Sequence, residues 1–110
     1  MEFIETLDGS VIVSDAEGTI IYMNEKAAKT FRNDGGLNLV GKNLKDCHQP
    51  GSNDKIDHIL SAREKNVYTI EKDGKKKLIY QAPWFTGGQV GGIVELSLEI
   101  PFEMPHFKRD

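Results

Sequence analysis

The chain has 110 residues, a length that supports one hydrophobic core and not two. With 38% apolar and 28% charged residues it has the composition of a folded domain, and a formal charge of −3 leaves no global positive field for a nucleic-acid backbone. No apolar stretch approaches the roughly 20 residues that cross a bilayer. The acidic start Met1-Glu2-Phe3-Ile4-Glu5 is unlike a signal peptide, and a lone Cys47 forms no internal disulfide, so a cytoplasmic location is expected.

Residues 1–8 read as an N-terminal segment in which Phe3, Ile4 and Leu7 have the spacing of a short amphipathic helix, suited to packing within the chain. Val11 to Ser14 and Thr19 to Met23 are β-branched runs separated by Asp15-Ala16-Glu17-Gly18, which predicts a hairpin. Asn24 then caps a short helix that sets Ala27, Ala28 and Phe31 on one face. Asn33-Asp34-Gly35-Gly36 stops that helix. Leu37, Leu39, Val40 and Leu44 follow in irregular turns, with Gly41 at a tight bend.

A longer helix is expected to start from a cap at Ser52, Asn53 or Asp54 and to run to about Lys65, with Ile56, Ile59, Leu60 and the stem of Arg63 as its apolar stripe. Val67 to Lys72 and Lys75 to Phe85 read as strands joined by the two-residue turn Asp73-Gly74. The adjoining Lys75-Lys76-Lys77 reads as three solvated lysines at a turn. After Gly87-Gly88, the alternation from Val90 onward assigns Val94, Leu96, Leu98 and Ile100 to a buried face and Glu95, Ser97 and Glu99 to a wet one. The expected fold is α+β: a five-stranded antiparallel sheet with short helices and one longer helix on one face.

This order, with Asp15, Gly18, Ile20 and Asn24 in the spacing D-x-x-G-x-I-x-x-x-N, resembles the PAS family, and Ala27, Gly41 and the stretch Gly91-Gly92-Ile93-Val94 are similar to it as well. The resemblance implies a PAS domain over residues 9–100, an N-terminal segment at 1–8 and a tail at 101–110. It further implies a pocket between sheet and longer helix that holds haem, flavin, a small metabolite or only side chains. Residues expected to line it are Tyr22, Phe31, Leu44, His48, Ile56, Ile59, Leu60, Tyr68, Ile70, Tyr80, Trp84, Leu96 and Leu98. The function so implied is sensing: a small ligand binds, and the state passes on by contact with a protein partner or a second copy. The alternative is a ligand-free interaction or dimerisation module.

Neither haem nor flavin is supported by a motif. Gly41-Lys42-Asn43 opens like the reactive-cysteine stretch of flavin photosensors, but Cys47 falls three residues late. Covalent haem attachment needs a second cysteine before His48, and His58 points away from the stripe formed by residues 56, 59, 60 and 63. Asp46, Cys47, His48 and Asp54 have no matching donor set elsewhere, so no metal site is expected. Cys47 with His48 has the chemical types of a nucleophile and base, but adjacent loop side chains seldom face one another, and no catalytic residue is assigned. Leu98-Glu99-Ile100 runs into Pro101, which disfavours a helix continuing from the last strand, so a free-standing domain acting through dimerisation or a separate partner is expected.

Overall fold

The first hairpin forms as its turn residues dictate. Strands β1 (Ser10–Ser14) and β2 (Ile20–Met23) pair antiparallel around a loop in which Asp15 Oδ1 accepts from the backbone N–H groups of Glu17 and Thr19 at 3.0 and 2.9 Å. This computed structural model describes residues 1–47 and 50–110, with the backbone alone for 47 and 50–55. Asn24 ends β2 and caps α2 (Glu25–Thr30), as expected. Its fully buried Oδ1 accepts from Ala27 N and Val11 N at 2.9 and 3.0 Å. Its Nδ2 donates to the carbonyls of Gly9 at 2.8 Å and of Ile4 at 2.9 Å, the latter in α1 (Glu2–Glu5). One side chain thereby joins three elements.

Two 3-10 turns, Arg32–Asp34 and Gly36–Leu39, fill the irregular stretch, followed by α3 (Leu44–Cys47) and α4 (Pro50–Ala62). The longer helix begins before the expected caps: Pro50, with its preset φ and missing donor, suits a first turn. Ser52, Asn53 and Asp54 therefore fall inside the helix, and their side chains lie outside those described. The helix also stops earlier than Lys65. Arg63 adopts φ +59 with its N–H on Ile59 O at 3.1 Å, so it terminates the helix instead of extending its stripe. Its guanidinium lies 5.6 Å from the centroid of the Phe85 ring.

Strands β3 (Asn66–Lys72), β4 (Lys75–Thr86) and β5 (Gln89–Ile100) complete a fully antiparallel sheet of order β2-β1-β5-β4-β3. Asp73 and Gly74, at φ +55 and +75, make the tight turn their types predict. Pro83 lies beyond the reach of β3, whose pairing ends at Asn66 with Gln81, so its missing N–H interrupts no ladder on that side. The helices that follow β2 cover one face, and α1 meets Tyr22 of the other. Ile12, Ile20, Met23, Ala27, Leu39, Leu44, Ile56, Ile59 and Ile93 form the core, with Phe31 and Leu60 packed against it.

The faces of β5 are the reverse of the expected assignment. Glu95 pairs with core residue Ile12, so Ile93 and Glu95 turn toward the helices, at 1% and 7% exposure. Val94, Leu96, Leu98 and Ile100 form the outer face and are half-buried. As the central strand, β5 carries apolar residues on both sides, so alternation reveals the period without the direction.

Candidate functional site

A single cross-strand row on the inner face changes character as it crosses the sheet. The register places Met23, Ile12, Glu95, Gln81 and Asn66 side by side from β2 to β3. Met23 and Ile12 belong to the core, whereas the three residues that continue the row are hydrogen-bonded to one another. Gln81 Nε2 donates to Glu95 Oε2 at 3.0 Å, and Asn66 Nδ2 donates to Gln81 Oε1 at 3.0 Å. Gln81 and Glu95 are buried, at 4% and 7% exposure.

Such a placement is costly unless every partner is supplied, because a carboxylate and two amides have left water for the space between sheet and helices. The neighbouring row brings in Tyr68 beside Ile79 and Ser97. Burial, and secondarily the negative charge of Glu95, push the Tyr68 phenol above its ordinary pKa. Tyr68 nonetheless keeps 41% exposure, so the β3 end of the polar row is open to solvent while the β5 end is closed.

The structure divides the expected pocket residues. Leu44, Ile56 and Ile59 are in the core, Phe31 and Leu60 pack on it, and Tyr68 and Ile70 share the inner face of β3 by strand alternation. Tyr22, Tyr80, Trp84, Leu96 and Leu98 take the opposite face. Tyr80 pairs with Leu96, Leu96 with Val11 and Tyr22 with Val13, all one residue out of step with the core positions. Trp84 Nε1 donates to the Ser14 carbonyl at 2.8 Å, and Tyr22 donates to the Glu5 carboxylate of α1. His48 and the Cys47 thiol lie outside the described residues. His58 is exposed and within 3.3 Å of Glu64, and His106 lies in the exposed tail, so neither reaches the inner face.

Asn66, Gln81 and Glu95 were not among the expected residues. Their alignment follows from the two hairpin turns: Asp73-Gly74 sets Asn66 opposite Gln81, and Gly87-Gly88, with the bulge between Trp84 and Phe85, sets Gln81 opposite Glu95. Counting register from the Asp73-Gly74 turn pairs Asn66 with Gln81, whereas the bulge shifts the second count by one residue and brings Glu95, in place of Val94, opposite Gln81.

A family model described as the PAS fold matches residues 2–82. The chain belongs to the PAS family. Solved structures bear out the fold. A sensory box sensor histidine kinase from Vibrio cholerae superposes with a TM-score of 0.66 at 17% identity over 92% of this chain and 89% of that one. The Aer2 receptor of the same organism, described as a dual PAS-heme oxygen sensor, gives 0.65 at 20% identity over 84% and 95%. The Vibrio cholerae VqmA dimer, described with LuxR-type receptors, gives 0.70 at 12% identity, covering 91% of this PAS chain and 49% of its own. No curated protein sequence matches the chain. Among the described residues, no helix is long and apolar enough to cross a membrane.

Proposed function

We propose that this PAS chain is a non-enzymatic sensory domain that holds a small hydrogen-bonding ligand against the Asn66–Gln81–Glu95 row and passes its state to a protein partner. Residues 9–100 form the sensory unit, 1–8 and 101–110 flank it, and the cytoplasm is its place of action. The observation that carries this reading is the buried carboxylate linked to a half-open chain of amides. A core whose only task is packing gains nothing from it, since apolar residues of similar volume serve as well or better. The exposed end at Tyr68 offers entry, and Ile79 and Ile93 supply an apolar wall.

The outer face is the route by which a signal leaves. It presents half-buried Leu96, Leu98 and Ile100, and exposed Phe3, Leu7 and Phe102 come from the flanking segments. A second copy of the chain or a separate partner fits such a surface. If the inner row serves only architecture, this face alone supports the alternative reading of a ligand-free interaction module.

Native mass spectrometry of the protein as purified, with an absorption spectrum, tests the proposal. The expected result is an added small-molecule mass that disappears in Gln81→Leu while the fold, followed by circular dichroism, persists. Bare chain or dimer mass at every occupancy tested would transfer the weight to the interaction module.

A further inference from the structure

A concave site lies at the other end of the same sheet face, between α2 and the β3–β4 hairpin. Its volume is about 420 Å³, and Gly9 and Ser97 contribute to its lining. Lys26, Lys29 and Arg32 come from the α2 side, and Lys72, Lys75 and Lys77 from the hairpin. Against these six cations stand three acidic residues, Asp8, Asp73 and Glu99. The whole chain has 14 basic and 17 acidic residues, so the groove inverts the balance of the molecule around it.

Two of the cations are engaged: Lys26 with Asp8 at 3.2 Å and Lys75 with Glu99 at 3.9 Å. Among the described residues, Lys29, Arg32, Lys72 and Lys77 have no ion pair. Four cations without an ion pair, against the one remaining carboxylate of Asp73, thus converge on one cavity from two distant stretches of chain. This convergence opposes folding by mutual repulsion, and screening over about 8 Å at physiological ionic strength weakens that repulsion without abolishing it. Lys75 and Lys77, which in sequence are solvated turn residues, acquire in the fold a set of facing cations that the turn does not explain, whereas Lys76 alternates away from the groove and donates to the Phe102 carbonyl at 3.4 Å.

We infer that this groove binds a small polyanion carrying two or more phosphate groups. The volume is that of a small-molecule site, the surplus of charge matches a multiply charged anion, and Arg32 with the lysines supplies directional donors as well as field. Lys77 and Glu99 are paired four residues along β4 and β5 from Gln81 and Glu95. At the strand rise this is roughly 13 Å from the polar row, with Ser97 on the groove's near side.

The probe is inorganic triphosphate, titrated into the full chain at about 0.15 M ionic strength and followed by calorimetry and by amide NMR. Saturable binding is expected, with shifts concentrated at residues 26–32, 72–77 and Ser97. Lys29→Glu and Lys72→Glu, each made separately on an exposed residue, weaken binding about tenfold or more, while Lys65→Glu, outside the groove, leaves it unchanged. A nucleoside triphosphate that binds equally well shows that the phosphates alone are recognised, and tighter binding shows that a base or sugar adds contacts. Either result supports the site. No saturable binding, equal loss in Lys65→Glu, or shifts spread over all lysines would overturn it. So would a short single-stranded DNA or an anionic vesicle binding more tightly than triphosphate through the same residues.

Discussion

Asn24 illustrates how much one side chain holds here, since two backbone donors and two carbonyls from three elements depend on it. Asn24→Ala removes all four contacts, and a destabilisation of about 3 kcal/mol is expected in urea unfolding. Asn24→Asp retains the two acceptor contacts but places an oxygen against the carbonyls of Ile4 and Gly9, and it too should lower the urea midpoint. Tyr22 gives a second test at this scale. Its hydrogen bond to Glu5, with smaller contributions from burial and from the charges of Glu5 and Glu25, raises its pKa from 10.0 to about 12. A phenol whose pKa is raised on folding contributes stability that is fully present below pH 10 and is lost as the pH climbs through about 12. Spectrophotometric titration should find two tyrosinates that form late, Tyr22 and Tyr68, and Tyr22→Phe should remove the one near pH 12. A titration near pH 12 that keeps its full amplitude in Tyr22→Phe would contradict the assignment.

At the scale of elements, the bulge in β5 is the least replaceable joint. Gly92 has φ +155, and a Cβ there would strike the Ser14 carbonyl, which already receives the Trp84 indole N–H; a Cβ on Gly91 would strike the Trp84 ring. Gly92→Ala is therefore expected to cost about 3 kcal/mol or more, or to prevent folding, whereas Gly87→Ala, with open space around it, should cost far less. Thermal melts of the two variants compare them directly. The hairpins and the Asn24 cap were legible in the sequence because each rests on local chemistry at one turn. The ends of α4 were less legible: three competent capping residues follow a proline that starts the helix, and Arg63 ends it in a conformation usually left to glycine. The buried face of β5 was not legible, because both of its faces meet apolar neighbours. As a result, Glu95 read as a solvent residue and the polar row went unseen.

For the whole molecule, the sheet presents three surfaces with different chemistries: a polar row under the helices, a basic groove at its hairpin end and an apolar outer face. They have different dependences on conditions, which allows them to be tested independently. Added salt should weaken anion binding at the groove steeply while leaving the inner row largely untouched, because screening acts on solvent-exposed charges far more than on buried pairs. Self-association through the outer face, measured by sedimentation at increasing protein concentration, should persist or strengthen at the same salt concentrations. A loss of all three together would mean that the protein had unfolded.

The chain of amides has a sense of direction. A carboxylate only accepts, so Glu95 obliges Gln81 to turn its NH2 group inward, which turns the Gln81 oxygen outward and draws the Asn66 NH2 group toward it. Three side chains therefore share one polarity, set at the central strand and expressed at the edge. Replacing Glu95 with Gln frees the setting: both amides can then reverse in concert, and Asn66 can present either end of its dipole at the mouth near Tyr68. In the native protein the orientation of the amide at the edge strand thus follows from the acceptor two strands away.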